Sequence, residues 1–326
     1  MNTQDDELDR LFRAANPMPD AVHTPLRASD IAIRERIIRG ELTPRRSRRR
    51  ASAWAGLSTA VAATIALVVV AVSVLAPTQT AVAFTPPPLT YGNAEPLGDV
   101  VAEAHTRLDD TVGPEQTSAV HSLMWGWDIN ITKEQIEVVP QDVTFHWSVE
   151  DGSTTTIVAG ESYWGDDERP QGIRASPYAP GEIISEVVTP AAEFDAPTQV
   201  IALAGSTEAD LLEALNSFGT DPTVSSGAML VAIGRLLSYW TLTDEQHATL
   251  IDLLIDAGGV TVLGRTVDRA GRDVIGLRVT DPTSPYVDTL LISIATGRIV
   301  GMENELTEPL DFIPAGVVGY TLWDDK

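Results

Sequence analysis

The chain has 326 residues, no cysteine and a formal net charge of -24. With 44% apolar residues it can bury one sizeable core, and the lack of cysteine removes disulfides, thiolate metal sites and cysteine nucleophiles together. The charge is uneven: residues 1–50 carry 11 arginines and 8 acids, whereas the remainder carries 11 basic and 38 acidic residues, a balance of -27. So negative a surface repels phosphate backbones and speaks against nucleic-acid binding by the larger part.

In chain order, two short amphipathic stretches come first, Asp5 to Ala15 with Leu8, Leu11 and Phe12, and Ser29 to Arg39 with Ile31, Ile33, Ile37 and Ile38. Asn16-Pro17-Met18-Pro19 separates them. So few large apolar groups cannot build a core, so residues 1–50 read as a partly disordered arm. Its apolar stripes suit either a partner protein or no partner at all, as a passive tether.

From Ala51 to Ala76 there is no charged residue, and Trp54 to Leu75 would make a helix about 33 Å long, enough to cross a bilayer. Arg45, Arg46, Arg48, Arg49 and Arg50 precede it, and the next basic residue is Arg107, so the positive-inside rule places the N-terminus in the cytoplasm and the C-terminus outside. The lipid bilayer is therefore an expected partner, with those arginines at the headgroups. Ala81-Val82-Ala83 matches a signal-peptidase site, but the apolar run is longer than a signal's, so cleavage after Ala83 is the lesser expectation.

Residues 77–96, with Pro86-Pro87-Pro88, read as an extended linker. An extracytoplasmic domain is expected over 97–326. It opens with a helix near Leu97 to Leu108, followed by a strand in which Ala119, His121, Leu123, Trp125, Trp127, Ile129 and Ile131 share one face. The next strand places Val143, Phe145, Trp147 and Val149 together, and Asp151-Gly152 turns the chain into a third from Thr154 to Trp164. Trp125, Trp127, Phe145 and Trp147 then form an aromatic face, which is core in a closed domain or an apolar groove in a half-open one.

After the acidic loop 166–181 comes a strand near Glu182 to Val188, then three helices. Thr207 caps the first, Met229 to Trp240 marks the second at 3.6-residue spacing, and Thr243 with Gln246 makes a capping box for the third, which ends at Gly258-Gly259. Four strands follow as a meander, Val260 to Val267, Val274 to Thr280, Tyr286 to Ile294 and Arg298 to Glu303, and Gly316 to Trp323 reads as a last strand. The class is α+β, with antiparallel sheet and a separate block of three helices.

Asp5-Asp6-Glu7-Leu8-Asp9, Asn16-Pro17 and the arginines before the span open the chain, and a run of turn motifs marks its C-terminal part. These are Ala257-Gly258-Gly259-Val260, Gly264, Asp268-Arg269-Ala270-Gly271-Arg272 and Ala295-Thr296-Gly297-Arg298-Ile299-Val300-Gly301. On these residues the chain resembles an uncharacterised family of single-pass membrane proteins of high-GC Gram-positive bacteria, anti-sigma-factor-like or sigma-linked. The order of helix, aromatic strands and late meander is also similar to the curved half-barrel of periplasmic lipoprotein carriers, an analogy of fold alone.

No catalytic constellation emerges. The five histidines, His23, His105, His121, His146 and His247, show no ligand spacing, and His121 and His146 are expected on opposite faces of neighbouring strands. Asp166-Asp167-Glu168 lacks the alternating ligands of a calcium loop, and there is neither a phosphate-binding glycine loop nor a GxSxG elbow. No enzyme, cofactor or metal is expected. The leading expectation is a regulatory, signal-linked membrane protein whose outer domain binds a ligand or envelope protein and whose arm holds a sigma factor or similar protein. The alternative is a cell-envelope carrier or receptor for lipid or hydrophobic peptide, with a passive anchor.

Overall fold

The structure, a computed structural model, describes residues 86, 88–126, 138–164, 175–281, 284, 286–308 and 315–324. The expected arm, residues 1–50, with Arg45 to Arg50, the expected span 51–76, Trp127 and residues 166–174 of the acidic loop lie outside the described residues. Among those described, no helix is long and apolar enough to cross a membrane.

Among the described residues, nine antiparallel strands form one curved sheet. Helix α1 (Leu97–Asp110) leads into β1 (Ala119–Gly126), β2 (Gln141–Ser148), β3 (Gly152–Ala159) and β4 (Ile183–Thr189). The helical block is α2 (Thr198–Ile201), α3 (Glu208–Asn216), α4 (Ser226–Leu237) and α5 (Asp244–Asp256). Strands β5 (Val260–Val267), β6 (Asp273–Thr280), β7 (Tyr286–Ser293), β8 (Ile299–Leu306) and β9 (Gly316–Trp323) complete the sheet, in the order β4-β3-β2-β1-β9-β8-β7-β6-β5.

Two meanders run in opposite directions, and β9 joins them by pairing with β1 and β8. Because β4 and β5 are the two outer strands, the helices between them must carry the chain from one edge to the other. They do so across one face, where α1, α3, α4 and α5 bury Leu108, Leu211, Leu215, Leu230, Ile233, Leu250 and Leu254 against Val120, Ile275, Leu277, Leu290 and Trp323. Local chemistry sets their starts. Thr207 and Thr243 each accept the N3 backbone N–H while the Asp210 or Gln246 side chain returns the bond, and Ser225 caps α4.

The opposite face carries a second apolar cluster, Trp125, Val274, Leu291, Val300, Tyr320 and Leu322, with Leu89, Leu123, Val138 and Tyr163 packed on it. Strands β6 and β7 are thus buried on both sides, which is why Leu290-Leu291-Ile292 reads as an unbroken apolar run.

One expectation about faces is corrected. The register pairs Ala119 with His146, Val120 with Phe145 and His121 with Thr144. His121 and His146 therefore share a face, and Trp125 lies on the side opposite Phe145 and Trp147. Alternation assigns faces within one strand; the parity between two strands is set by register, and β1 is apolar on both sides.

Candidate functional site

The second face is crossed by a strap, residues 88–95, which belong to the expected linker. The strap is held in place. Gly92 N–H donates to Arg265 O at 2.9 Å, Thr266 Oγ1 donates to Thr90 O at 2.8 Å, and Glu95 with Glu103 of α1 accepts from the Arg265 guanidinium at 2.7 Å. Tyr91 lies over Gly276 of β6, where a methyl group would overlap the ring, and its hydroxyl meets Thr289. Burial pushes the Tyr91 phenol above its usual range, with Glu303 adding to the effect.

Between the strap and the β5–β6 turn the fold leaves an open trough of about 1160 Å³. Pro86, with Pro88 and Leu89 of the strap, forms one wall, and Tyr163 and Trp164 beyond β3 form another. Val267, Ile294 and the polar residues Arg265, Arg269 and Asp273 complete it. Val267 is half exposed there.

The turn that aims Arg269 is built by Asp268, a buried carboxylate. It accepts from the backbone N–H groups of Ala270 and Arg272, each at 2.9 Å, and from Arg272 Nε at 2.7 Å, while Gly271 takes a positive φ of 80°. Arg272 then spans the sheet to Trp323 O and Val300 O. Arg269 grips Glu303 through two bonds at 2.8 and 3.2 Å, both side chains under 10% exposed, with its guanidinium 5.1 Å from the Tyr320 ring centroid. Burial raises the Glu303 carboxyl above the usual range, partly offset by Arg269. Tyr163 and Tyr320 join hydroxyl to hydroxyl at the trough floor, above Trp125.

The predicted aromatic face divides. Trp147 is buried against Trp240 at 4.7 Å and Phe194 at 5.7 Å and donates its indole N–H to Tyr239 O, and Phe145 meets Tyr239 edge-on at 6.0 Å. Both sit in the packed layer between sheet and helices. Trp125, on the other face, donates to Val138 O at 2.8 Å and stacks on Tyr320 beneath the trough. The residues that line the trough, Leu89, Tyr163, Trp164, Val267, Arg269 and Ile294, form no site that sequence reasoning finds. The signals that could have pointed to it are the aromatic pair Tyr163-Trp164 and the Asp268 turn motif.

Among the described residues, no group of three or more His, Asp or Glu side chains is placed to hold a metal ion. His121 is clasped between Asp142 at 3.0 Å and Asp324 at 2.8 Å. Burial alone would lower its pKa, and the two carboxylates outweigh it and raise it.

No protein-family profile matches the chain, and no curated protein matches it in sequence. Its fold is similar to the crystal structure of an outer membrane lipoprotein-sorting protein domain from Vibrio parahaemolyticus. That likeness has 10% identity and a TM-score of 0.22, over 69% of this chain and 90% of that one. A superposition so loose carries no functional weight, which leaves the chain's own residues to decide its function.

Proposed function

We propose that the chain is a membrane-anchored binding module of the cell envelope whose trough holds an apolar or amphipathic molecule. One observation carries this reading: a large open trough, walled by Leu89, Tyr163, Trp164, Val267 and Ile294, with Arg269 and Asp273 at the β5–β6 turn and Thr90, Arg265 and Thr266 completing its polar lining. An aromatic and aliphatic wall with a small number of converging polar groups is the general form of a small-molecule site. A second cavity, beside Trp240 and Trp323, holds only about 30 Å³.

The test uses the full chain in detergent-free nanodiscs and the dye N-phenyl-1-naphthylamine, whose emission rises in apolar surroundings. Binding should saturate, and Trp164→Ala or Val267→Asp should weaken it about tenfold, the loss of roughly 1.4 kcal/mol. Val149→Asp, at an exposed site on the β2–β3 turn, should leave it unchanged. Equal binding by all three variants would overturn the reading.

A second reading, the regulatory protein with a cytoplasmic partner such as a sigma factor, gains support from one feature. The trough wall is made by the stretch of chain that leads back toward the expected span, so occupancy and tether are mechanically joined.

A further inference from the structure

We infer that the trough selects a cationic amphiphile, a molecule with an apolar body and one ammonium head, and sets that head against the carboxylate of Asp273. The inference rests on the ligand reading of the trough and adds to it the charge of the ligand.

Three arginines beside an apolar trough would ordinarily suit an anionic head, but each is already paired. Arg265 is held by Glu95 and by Glu103, each at 2.7 Å. Arg269 is bound to Glu303 at 2.8 Å, with both side chains under 10% exposed, and Arg272 to Asp268 at 2.7 Å. An anionic head that drew Arg269 away would leave the Glu303 carboxylate buried without its partner, which costs far more than an exposed contact returns.

Asp273 is placed differently. It opens β6 directly opposite Val267, so the two side chains stand together on one face at the trough wall, and both are exposed. Its backbone carbonyl accepts from Ile294 N–H at 3.0 Å, while among the described residues its carboxylate has no hydrogen-bond or ion-pair partner. With Asp273 included, three arginines face five carboxylates at this end of the sheet, a formal balance of -2. The field in the trough therefore attracts a positive head and repels a negative one.

The walls suit the remainder of such a molecule. Tyr163 and Trp164 line the trough with ring centroids 6.2 Å apart and planes at 73°, and aromatic faces attract an ammonium group as well as apolar surface. Leu89, Val267 and Ile294 supply aliphatic surface for a tail. An apolar side chain and an unpaired carboxylate, side by side at Val267 and Asp273, match both halves of a cationic amphiphile at once.

The test uses the full chain in nanodiscs of zwitterionic lipid, with octyltrimethylammonium and octyl sulfate as probes of equal tail and opposite charge. Calorimetric titration reads the probes, fluorescence reads the uncharged dye N-phenyl-1-naphthylamine, and empty nanodiscs correct for uptake by lipid. The cation should bind about fivefold more tightly than the anion. Asp273→Asn should weaken the cation about threefold, the size expected of one exposed charge pair, and leave dye binding unchanged. Glu150→Gln removes the same charge at the exposed β2–β3 turn, the end of β3 remote from Tyr163, and should change neither. Equal affinity for the two probes, or a preference for the cation that Asp273→Asn leaves intact or Glu150→Gln reduces as much, would overturn the inference; saturable dye binding would then leave the ligand reading standing. Dye and probes that bind no more than to empty nanodiscs would remove the ligand reading and this inference with it.

Discussion

His247 shows how much a single buried side chain constrains this fold. It lies on α5 with its ring enclosed, and its Nδ1 accepts the Ile299 backbone N–H at 3.3 Å, so the proton sits on Nε2. Burial, and next the Arg298 guanidinium, hold its pKa down at about 3, outweighing Asp244. The folded state thus keeps His247 neutral where an unfolded chain would bind a proton. Stability from this residue is present above the ordinary histidine pKa of about 6.5 and is lost as pH falls toward the folded value. Between pH 7 and pH 5 the loss should be about 2 kcal/mol. Urea unfolding at the two pH values should show it in the wild type and not in His247→Asn; parallel pH dependence in both would refute the assignment. His121 acts with the opposite sign, since its raised pKa contributes stability below the ordinary histidine value and loses it as pH rises.

At the scale of elements, the strap is the feature on which the site depends. It blunts the β5 edge at Arg265 and Thr266, where an unpaired strand would otherwise face solvent, and the register shift in β5 between Val262 and Gly264 breaks the remainder of that edge. Gly264, at a φ of 123°, has the Gly92 and Asn93 carbonyls lying against it, so a side chain there is excluded both by conformation and by space. Gly276 makes room for the Tyr91 ring by lacking a side chain. Gly276→Ala should therefore lift the strap while leaving the helix-packed core intact. Hydrogen exchange should report it: the Gly92 amide should lose at least tenfold in protection, and amides in α4 and α5 should keep theirs. Unchanged protection at Gly92 would mean that the strap is not held by this contact.

At the scale of the whole molecule, the helical block is an obligatory crossing from β4 to β5, and β9 is the seam between the two meanders. Charge follows that plan. Arg265, Arg269 and Arg272 all sit at the β5–β6 end, and each is matched by carboxylates, so the arginines beside the trough are neutralised in ion pairs. The regulatory reading predicts that trough and arm communicate. Full-length protein from membranes should capture one specific cytoplasmic protein, deletion of residues 2–40 should abolish capture, and N-phenyl-1-naphthylamine should alter its yield. Capture that survives the deletion would leave the arm a passive anchor.

Local chemistry made the elements legible in advance. The capping boxes at Thr207 and Thr243, the 3.6-residue spacing from Met229 and the turn glycines place α3, α4, α5 and β5 to β9 within a few residues, because these signals act through neighbours in the chain. The long uncharged run and its flanking arginines lie outside the described residues and stay an expectation of the sequence. Which strand face meets which, the insertion of β9 between β1 and β8, and the docking of a stretch that looks like spacer were decided only by tertiary structure. Leu89, Tyr91 and Trp164 carry no periodic pattern; they acquire their roles from residues far along the chain, and pairings over such distances leave no trace in local spacing.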